Sequence, residues 1–134
     1  MTRVFADTSF YAAVLSPRDS MHARAVSLSQ AKKRRILTTE FVIVELANLL
    51  SRIPVRPTFI EFVRYVRNHP QTLIIPATSQ LIERGFSLFS RRPDKEWSLT
   101  DCISFVVMEE HGVTEALTSD GDFEQAGFRV LLRY

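Results

Sequence analysis

Short apolar segments alternate with longer helical patterns along all 134 residues of this chain. The apolar segments, each predicted to be a strand, cover residues 3–6, 35–37, 73–75, 115–118 and 128–132. Helices are predicted between them, over residues 8–15, 19–33, 39–52, about 59–66, 78–89, 98–111 and, as a short turn, 122–126. This alternation predicts an α/β sandwich with a mostly parallel central sheet. The length suits one domain, which we expect to span residues 1–134.

The composition limits the class of protein. The chain is 46% hydrophobic and 24% charged, which favours a packed core over disorder. Its apolar runs, such as 41–44 and 105–108, are too short to cross a bilayer, and the N-terminus lacks the apolar core of a signal peptide. The single cysteine, Cys102, excludes an intrachain disulfide. We therefore expect a cytoplasmic protein with no membrane association.

Basic residues occur in groups, although the net charge is only +2. The groups are Lys32 to Arg35, Arg91 with Arg92, and Arg52, Arg56, Arg64 and Arg67. Solvated helix faces would explain them, and so would a phosphate-binding rim. The sequence leaves both interpretations open.

Four carboxylates stand at costly positions, at the ends of apolar strands or inside apolar helices. They are Asp7, Glu45, Asp101 and Asp120. An ionised carboxylate buried without a partner is destabilising, and several together need a cation among them. Asp7 and Asp120 each follow a predicted strand, and functional sites in parallel sheets gather at the carboxyl ends of the strands. A divalent metal site is therefore the first hypothesis.

Three of these acids also have simple structural explanations. Asp7 would serve as a helix N-cap, Asp101 would complete a capping box with Ser98, and Asp120 would form a turn with the following glycine. Glu45 has no such explanation, because its helix is apolar on all sides and no basic residue lies three or four positions away. We expect that helix to be buried.

The four acids belong to four short motifs in a fixed order. The motifs are Asp7-Thr8-Ser9, Thr39-x-x-Val42-x-x-Glu45, Ser98-Leu99-Thr100-Asp101-Cys102 and Thr118-Ser119-Asp120-x-x-Phe123. With them the chain resembles a PIN domain over nearly its whole length, and most closely the VapC-type toxins of prokaryotic toxin–antitoxin pairs. The resemblance implies a three-layer α/β/α sandwich and metal-dependent cleavage of RNA. It also implies that Asp7, Glu45, Asp101 and Asp120 are the family's four catalytic acids.

Oxygen-only ligands favour Mg²⁺ or Mn²⁺ over Zn²⁺ as the cofactor. We expect Asp7, Asp101 and Asp120 to bind the metal, and Glu45 to bind a second ion or to orient the attacking water. Asp122 is either an outer member of the site or the cap of a short helix. Supporting hydrogen bonds are expected from Ser9, Thr118 and Ser119.

A VapC-type toxin implies three partners: an RNA substrate, a cognate antitoxin and a second copy of the chain. Phe41, Phe59 and Phe62 suit either the core or an interface. The alternative is a non-catalytic PIN-like module that binds RNA or protein. A haloacid-dehalogenase-like phosphatase fits less well, since it needs a second Asp where Ser9 stands. The sequence does not identify the RNA.

Overall fold

The computed structural model describes residues 2–31 and 33–133, so Lys32 of the first basic group and the two terminal residues of the expected domain lie outside it. Strands and helices alternate as predicted. The strands are β1 (Arg3–Ala6), β2 (Arg35–Thr39), β3 (Thr72–Ile75), β4 (Glu115–Leu117) and β5 (Arg129–Val130). The helices are α1 (Thr8–Leu15), α2 (His22–Ala31), α3 (Glu40–Leu49), α4 (Arg56–Asn68), α5 (Ser79–Arg91), α6 (Leu99–Glu110) and α7 (Asp122–Gln125).

The strands form one parallel sheet in the order β3-β2-β1-β4-β5, in the centre of an α/β sandwich. The chain builds β2 and β3 on one side of β1 and later adds β4 and β5 on the other side. Such a reversal opens a crevice at the carboxyl ends of the two central strands. Asp7 directly follows β1 and its N–H donates to the carbonyl of Leu117, at the end of β4, over 3.1 Å. The sheet therefore brings two of the predicted acids to one edge.

Helix starts follow their capping residues. The side chains of Thr39, Thr78 and Ser98 each accept a hydrogen bond from the first turn of the helix that follows. Some predicted limits were wrong. Helix α2 begins at His22 rather than residue 19, because the Asp19 carboxylate accepts from the Met21 N–H at 2.8 Å and forms a turn.

Other limits differ at the C-terminal ends. Helix α3 stops at Leu49 rather than residue 52, and α5 continues to Arg91, into the predicted loop. Strand β5 covers only Arg129–Val130, which pair with Glu115 and Ala116 of the three-residue β4.

The core is formed by apolar side chains of the strands together with the buried faces of the helices, above all α1, α3 and α6. Phe105 lies at its centre, edge-on to Phe123 at 4.9 Å and to Trp97 at 5.1 Å between ring centroids. Cys102 is buried as expected. Phe41, Phe59 and Phe62, proposed for core or interface, are partly buried and pack against this core. Within the described ranges, no helix combines the length and apolar character that crossing a bilayer requires.

Candidate metal centre

Asp7 is buried at the end of β1, with only 5% of the residue exposed. Its Oδ2 atom accepts hydrogen bonds from the Thr118 hydroxyl at 2.8 Å and from the Ser9 hydroxyl at 3.2 Å. Asp7 occupies the N-cap position of α1, but its side chain makes no capping hydrogen bond to that helix. The side chain is therefore held across the sheet, towards the end of β4.

The residues after β4 continue the same network. The Asp120 N–H donates to the Thr118 hydroxyl at 3.0 Å, and the Asp122 N–H donates to Asp120 Oδ1 at 2.9 Å. Ser119 contributes through its backbone, since its N–H donates to the Ser9 hydroxyl at 3.2 Å. The turn expected at Asp120 is present, and it also turns the two acids towards α6.

Asp101, Asp120 and Asp122 form a compact group, which we call the acid trio. One carboxylate oxygen from each lies within 4.8 Å of the others. Asp101 reaches the group from the first turn of α6 while it also caps that helix, because the Ser98 N–H donates to its Oδ2 atom at 3.4 Å. The capping and metal interpretations of Asp101 are therefore compatible. Three partly exposed oxygen ligands suit a hard divalent cation, so the residues present fit the expected metal.

Asp7 and Glu45 lie beside the trio and are not members of it among the described residues. Burial is the largest cause of the raised pKa of Asp101 and of Asp7, and the negative charge of Asp7 adds to the first increase and that of Glu45 to the second. All four predicted acids are thus electrostatic neighbours. The role of Asp122 was left open between an outer member of the site and a helix cap, and its carboxylate lies within the trio, a grouping that spacing along the chain did not indicate.

One premise about Glu45 was wrong. Helix α3 was expected to be buried on all sides, but Val44 and Leu49 are 58% and 59% exposed. Glu45 itself is half-buried. An apolar helix surface indicates burial only when the fold covers it, and here part of it faces outwards.

Negative charge is crowded throughout this centre. Burial raises the pKa of Asp7, an effect that the Thr118 hydrogen bond opposes and that Glu45 and Asp120 strengthen. Burial, followed by Asp120 and Asp7, raises the pKa of Asp101 to about 7. Burial, Asp120 and, more weakly, Glu96 also raise the pKa of Asp122, and a hydrogen bond with Asp101 and then the charge of Lys95 partly offset this increase. A bound cation would relieve all three effects.

The PIN domain family model matches residues 4–129, and the chain belongs to this family of PIN domains. The 23S rRNA-specific endonuclease VapC20 of Mycobacterium tuberculosis is 32% identical to this chain over 130 residues, which cover 93% of this chain and 95% of that protein.

Solved structures agree with this assignment. The crystal structure of Mycobacterium tuberculosis VapC20, described as a toxin that cleaves the sarcin–ricin loop, matches with a TM-score of 0.84 and 30% identity over 93% of this chain and 95% of that one. FitAcB from Neisseria gonorrhoeae matches at 0.69 and 15% identity, covering 96% of each chain. DNA-bound VapBC from Salmonella typhimurium matches at 0.65 and 10% identity, covering 97% of each. The last two show the shared fold alone.

Proposed function

We propose that this PIN domain is a metal-dependent endoribonuclease and the toxin of a type II toxin–antitoxin pair. The acid trio beside buried Asp7, at the carboxyl edge of the sheet, is the observation that carries the proposal. RNA cleavage is also the activity in the name of VapC20, which this chain matches over nearly its full length. Such an enzyme would meet its RNA in the cytoplasm, and one domain of residues 1–134 would contain the whole site.

Asp101, Asp120 and Asp122 would hold the cation, Mg²⁺ or Mn²⁺, with Asp7 as the predicted further ligand. A bound cation supplies charge neutralisation at the phosphate and a water of lowered pKa. Thr118 and Ser9 keep the Asp7 carboxylate in one orientation. The Glu45 carboxylate would orient the attacking water and accept its proton.

Ribosomal RNA is the substrate that we propose for this chain. VapC20 is described as specific for 23S rRNA and as cleaving the sarcin–ricin loop. Primer extension on 23S rRNA after treatment of intact ribosomes would locate a cut in that loop. Cleavage of transfer RNA or messenger RNA with the ribosomal RNA intact would contradict the assignment.

A cognate antitoxin is the proposed protein partner, since similar folds are described within VapBC and FitAB structures. A second copy of the chain is proposed to cover α5, where Ile82, Phe86 and Phe89 are exposed and share one helical face. Contiguous exposed apolar surface of this kind marks interfaces. Phe86→Glu should convert a dimer to a monomer in sedimentation velocity. A wild-type monomer at high concentration would disprove the dimer.

Nuclease activity is tested with purified protein and an RNA substrate. Cleavage should cease in EDTA and return with Mg²⁺ or Mn²⁺, and a titration of both metals would identify the preferred one. Asp7→Asn and Asp101→Asn should abolish cleavage without unfolding the protein, while Glu61→Gln, on the exposed surface of α4, should leave it unchanged. Cleavage by either Asn variant would disprove the site, and RNA binding without cleavage by wild type would favour the non-catalytic alternative.

A further inference from the structure

Helix α4 and the turn before it carry the arginines that the sequence leaves open between a solvated helix face and a phosphate-binding surface. Residues 52–68 contain four arginines and one glutamate, a net charge of +3, whereas the whole chain has a net charge of +2. All four arginines are exposed: Arg52, Arg56, Arg64 and Arg67. The segment is therefore strongly basic in a chain that is nearly neutral overall.

Three of these arginines share one face of α4, and we call them the arginine stripe. With 3.6 residues per turn, Arg56, Arg64 and Arg67 fall within an arc of about 80° and extend over about 16 Å of the helix axis. Glu61 falls outside this arc, and Val66, the buried residue of the helix, lies on the other side. The stripe is thus a continuous row of positive charge that faces away from the core.

The stripe has no close carboxylate partner among the described residues. Their ion pairs shorter than 4.0 Å use Arg84, Arg92, Arg129 and Arg133. Of the stripe side chains, only that of Arg56 makes a hydrogen bond in the described ranges, from its Nε to the Ser51 carbonyl at 2.9 Å. The helix dipole favours Arg67, in the last turn, but disfavours Arg56 at the first position. Helix stability therefore does not account for the stripe as a whole.

The stripe extends away from the metal centre. The Thr72 N–H donates to the His69 carbonyl at 3.2 Å, where a short turn joins the end of α4 to the start of β3. Because the sheet is parallel, β3 starts at the edge opposite the one that carries the acid trio. Nearer the middle of α4, the Phe62 ring lies 5.1 Å from that of Tyr11, on the helix that follows Asp7. The C-terminal end of the stripe is therefore remote from the metal centre.

We propose that the arginine stripe is a second RNA-binding surface, which holds backbone phosphates of a long RNA at a distance from the bond that is cut. The inference rests on the proposed ribonuclease function. Guanidinium groups bind phosphates through paired hydrogen bonds, and counterion release adds affinity without any reading of bases. A long structured RNA can reach the metal centre and the stripe together, whereas a short oligonucleotide at the metal centre cannot. The stripe would thus favour large RNAs over short ones.

The test compares Arg64→Gln/Arg67→Gln with wild type on 23S rRNA, the proposed substrate, and on a short oligonucleotide that carries the cleaved bond. For 23S rRNA we expect KM to rise roughly tenfold with kcat within about twofold, and for the oligonucleotide we expect both constants to stay within about twofold. A variant with a damaged fold would lose activity on both RNAs. Arg64→Lys/Arg67→Lys keeps the charges and should remain within about threefold of wild type.

Binding of 23S rRNA in EDTA, where nothing is cleaved, provides a second measurement. The loss of two phosphate contacts should lower the slope of log affinity against log salt concentration by about 1.4–1.8. Arg18→Gln/Arg24→Gln is the matched control, because both arginines are exposed, lie outside α4 and change the net charge by the same amount. This control should leave the KM for 23S rRNA and the salt slope close to those of wild type.

Three results would overturn the inference while leaving the nuclease assignment intact. The first is an equal KM for 23S rRNA in the Arg64→Gln/Arg67→Gln variant and wild type. The second is an equal rise in KM in the control variant, which would reflect net charge alone. The third is a loss of affinity for a cognate antitoxin with the RNA constants unchanged, which would assign the surface to a protein partner. A wild-type protein that cleaves no RNA with either metal would overturn both proposals.

Discussion

Two buried threonines beside Asp7 lead to opposite expectations for the same substitution. Thr118 is 0% exposed, and its hydroxyl donates to Asp7 at 2.8 Å and accepts from the Asp120 N–H at 3.0 Å. Thr8 is 4% exposed, and its hydroxyl has no hydrogen-bond partner in the described structure. We therefore expect Thr118→Val to destabilise the protein and Thr8→Val to leave its stability unchanged or to increase it.

The magnitudes follow from the hydrogen bonds. Valine replaces the hydroxyl by a methyl group of similar size, so packing changes little. Thr118→Val removes a hydrogen bond to a carboxylate, worth about 1.5–3 kcal/mol, and also the acceptor of the Asp120 N–H, while the Ser9 hydroxyl still contacts Asp7 at 3.2 Å. We expect a loss of about 2 kcal/mol. Thr8→Val removes a buried hydroxyl that has no hydrogen-bond partner in the described structure, so its desolvation cost of about 1–3 kcal/mol is not offset. We therefore expect the free energy of unfolding to increase by up to roughly 1 kcal/mol.

Urea unfolding in EDTA measures both changes without metal. Trp97 is the only tryptophan and is 5% exposed, so its fluorescence reports global unfolding. For a slope of about 2 kcal/mol/M, Thr118→Val should lower the midpoint by roughly 1 M with the slope unchanged. Equal losses in the two variants would refute the reasoning, because the Asp7 hydrogen bond would then contribute nothing specific. So would a Thr118→Val midpoint equal to that of wild type.

Three further predictions concern charge, metal and packing. Burial, and then the neighbouring acids, raise the pKa of Asp101 from 3.8 to about 7. The metal-free folded protein therefore binds this proton more tightly than the unfolded chain does, and it loses stability as the pH rises from about 4 to 7. Asp101→Asn should remove most of this loss of stability. With solvent screening taken into account, urea unfolding at pH 8 should show the variant to be more stable than wild type by roughly 1 kcal/mol. A steep pH dependence of stability in the variant would contradict this prediction. Mn²⁺ at about 100 times its Kd should stabilise wild type by roughly 2.7 kcal/mol in the same assay and Asp101→Asn much less; equal stabilisation would place the metal elsewhere. Gly85→Ala should lower the free energy of unfolding by about 1–3 kcal/mol, because the added Cβ would lie 2.3 Å from Ile103 Cγ1. Gly121→Ala is the control and should be nearly neutral, because its Cβ would meet nothing within 4 Å. Equal stability of the two variants would indicate that Ile103 moves aside.

Local signals explain which parts of the fold could be predicted. The starts of α3, α5 and α6 were predicted because a cap is a hydrogen bond between residues three apart, as in the Ser98–Asp101 box. The ends of β5 could not be found in this way. Leu131 and Leu132 still donate to carbonyls at the end of β4, and Leu132 is 1% exposed. The apolar pattern therefore marked burial correctly, and these hydrogen bonds continue past the end of the regular strand.

The sequence predicted which acids belong to the candidate site, but it did not predict the distances between them. Strand order is set by long-range packing, so the motifs alone could not show that Asp7 and Asp120 meet at the switch between β1 and β4. Ligand distances are finer still. The sequence left the role of Asp122 open, and the structure brings one of its oxygens within 4.8 Å of those of Asp101 and Asp120. Asp122 lies only two residues after Asp120, and spacing along the chain does not show which of two such close acids reaches a metal.

The electrostatic balance of the site favours a cation over any other resolution of its charge. None of the close ion pairs among the described residues includes an acid of this centre, because they use Glu110, Asp94, Glu115 and Glu124. Protonation would relieve the repulsion, and the raised pKa values of Asp7 and Asp101 show that the fold moves in that direction. The hydrogen bonds that Asp7 accepts oppose it, since they stabilise the ionised carboxylate. A fold that places a buried, hydrogen-bonded carboxylate beside three others leaves a deficit of positive charge, and a divalent ion would supply that charge.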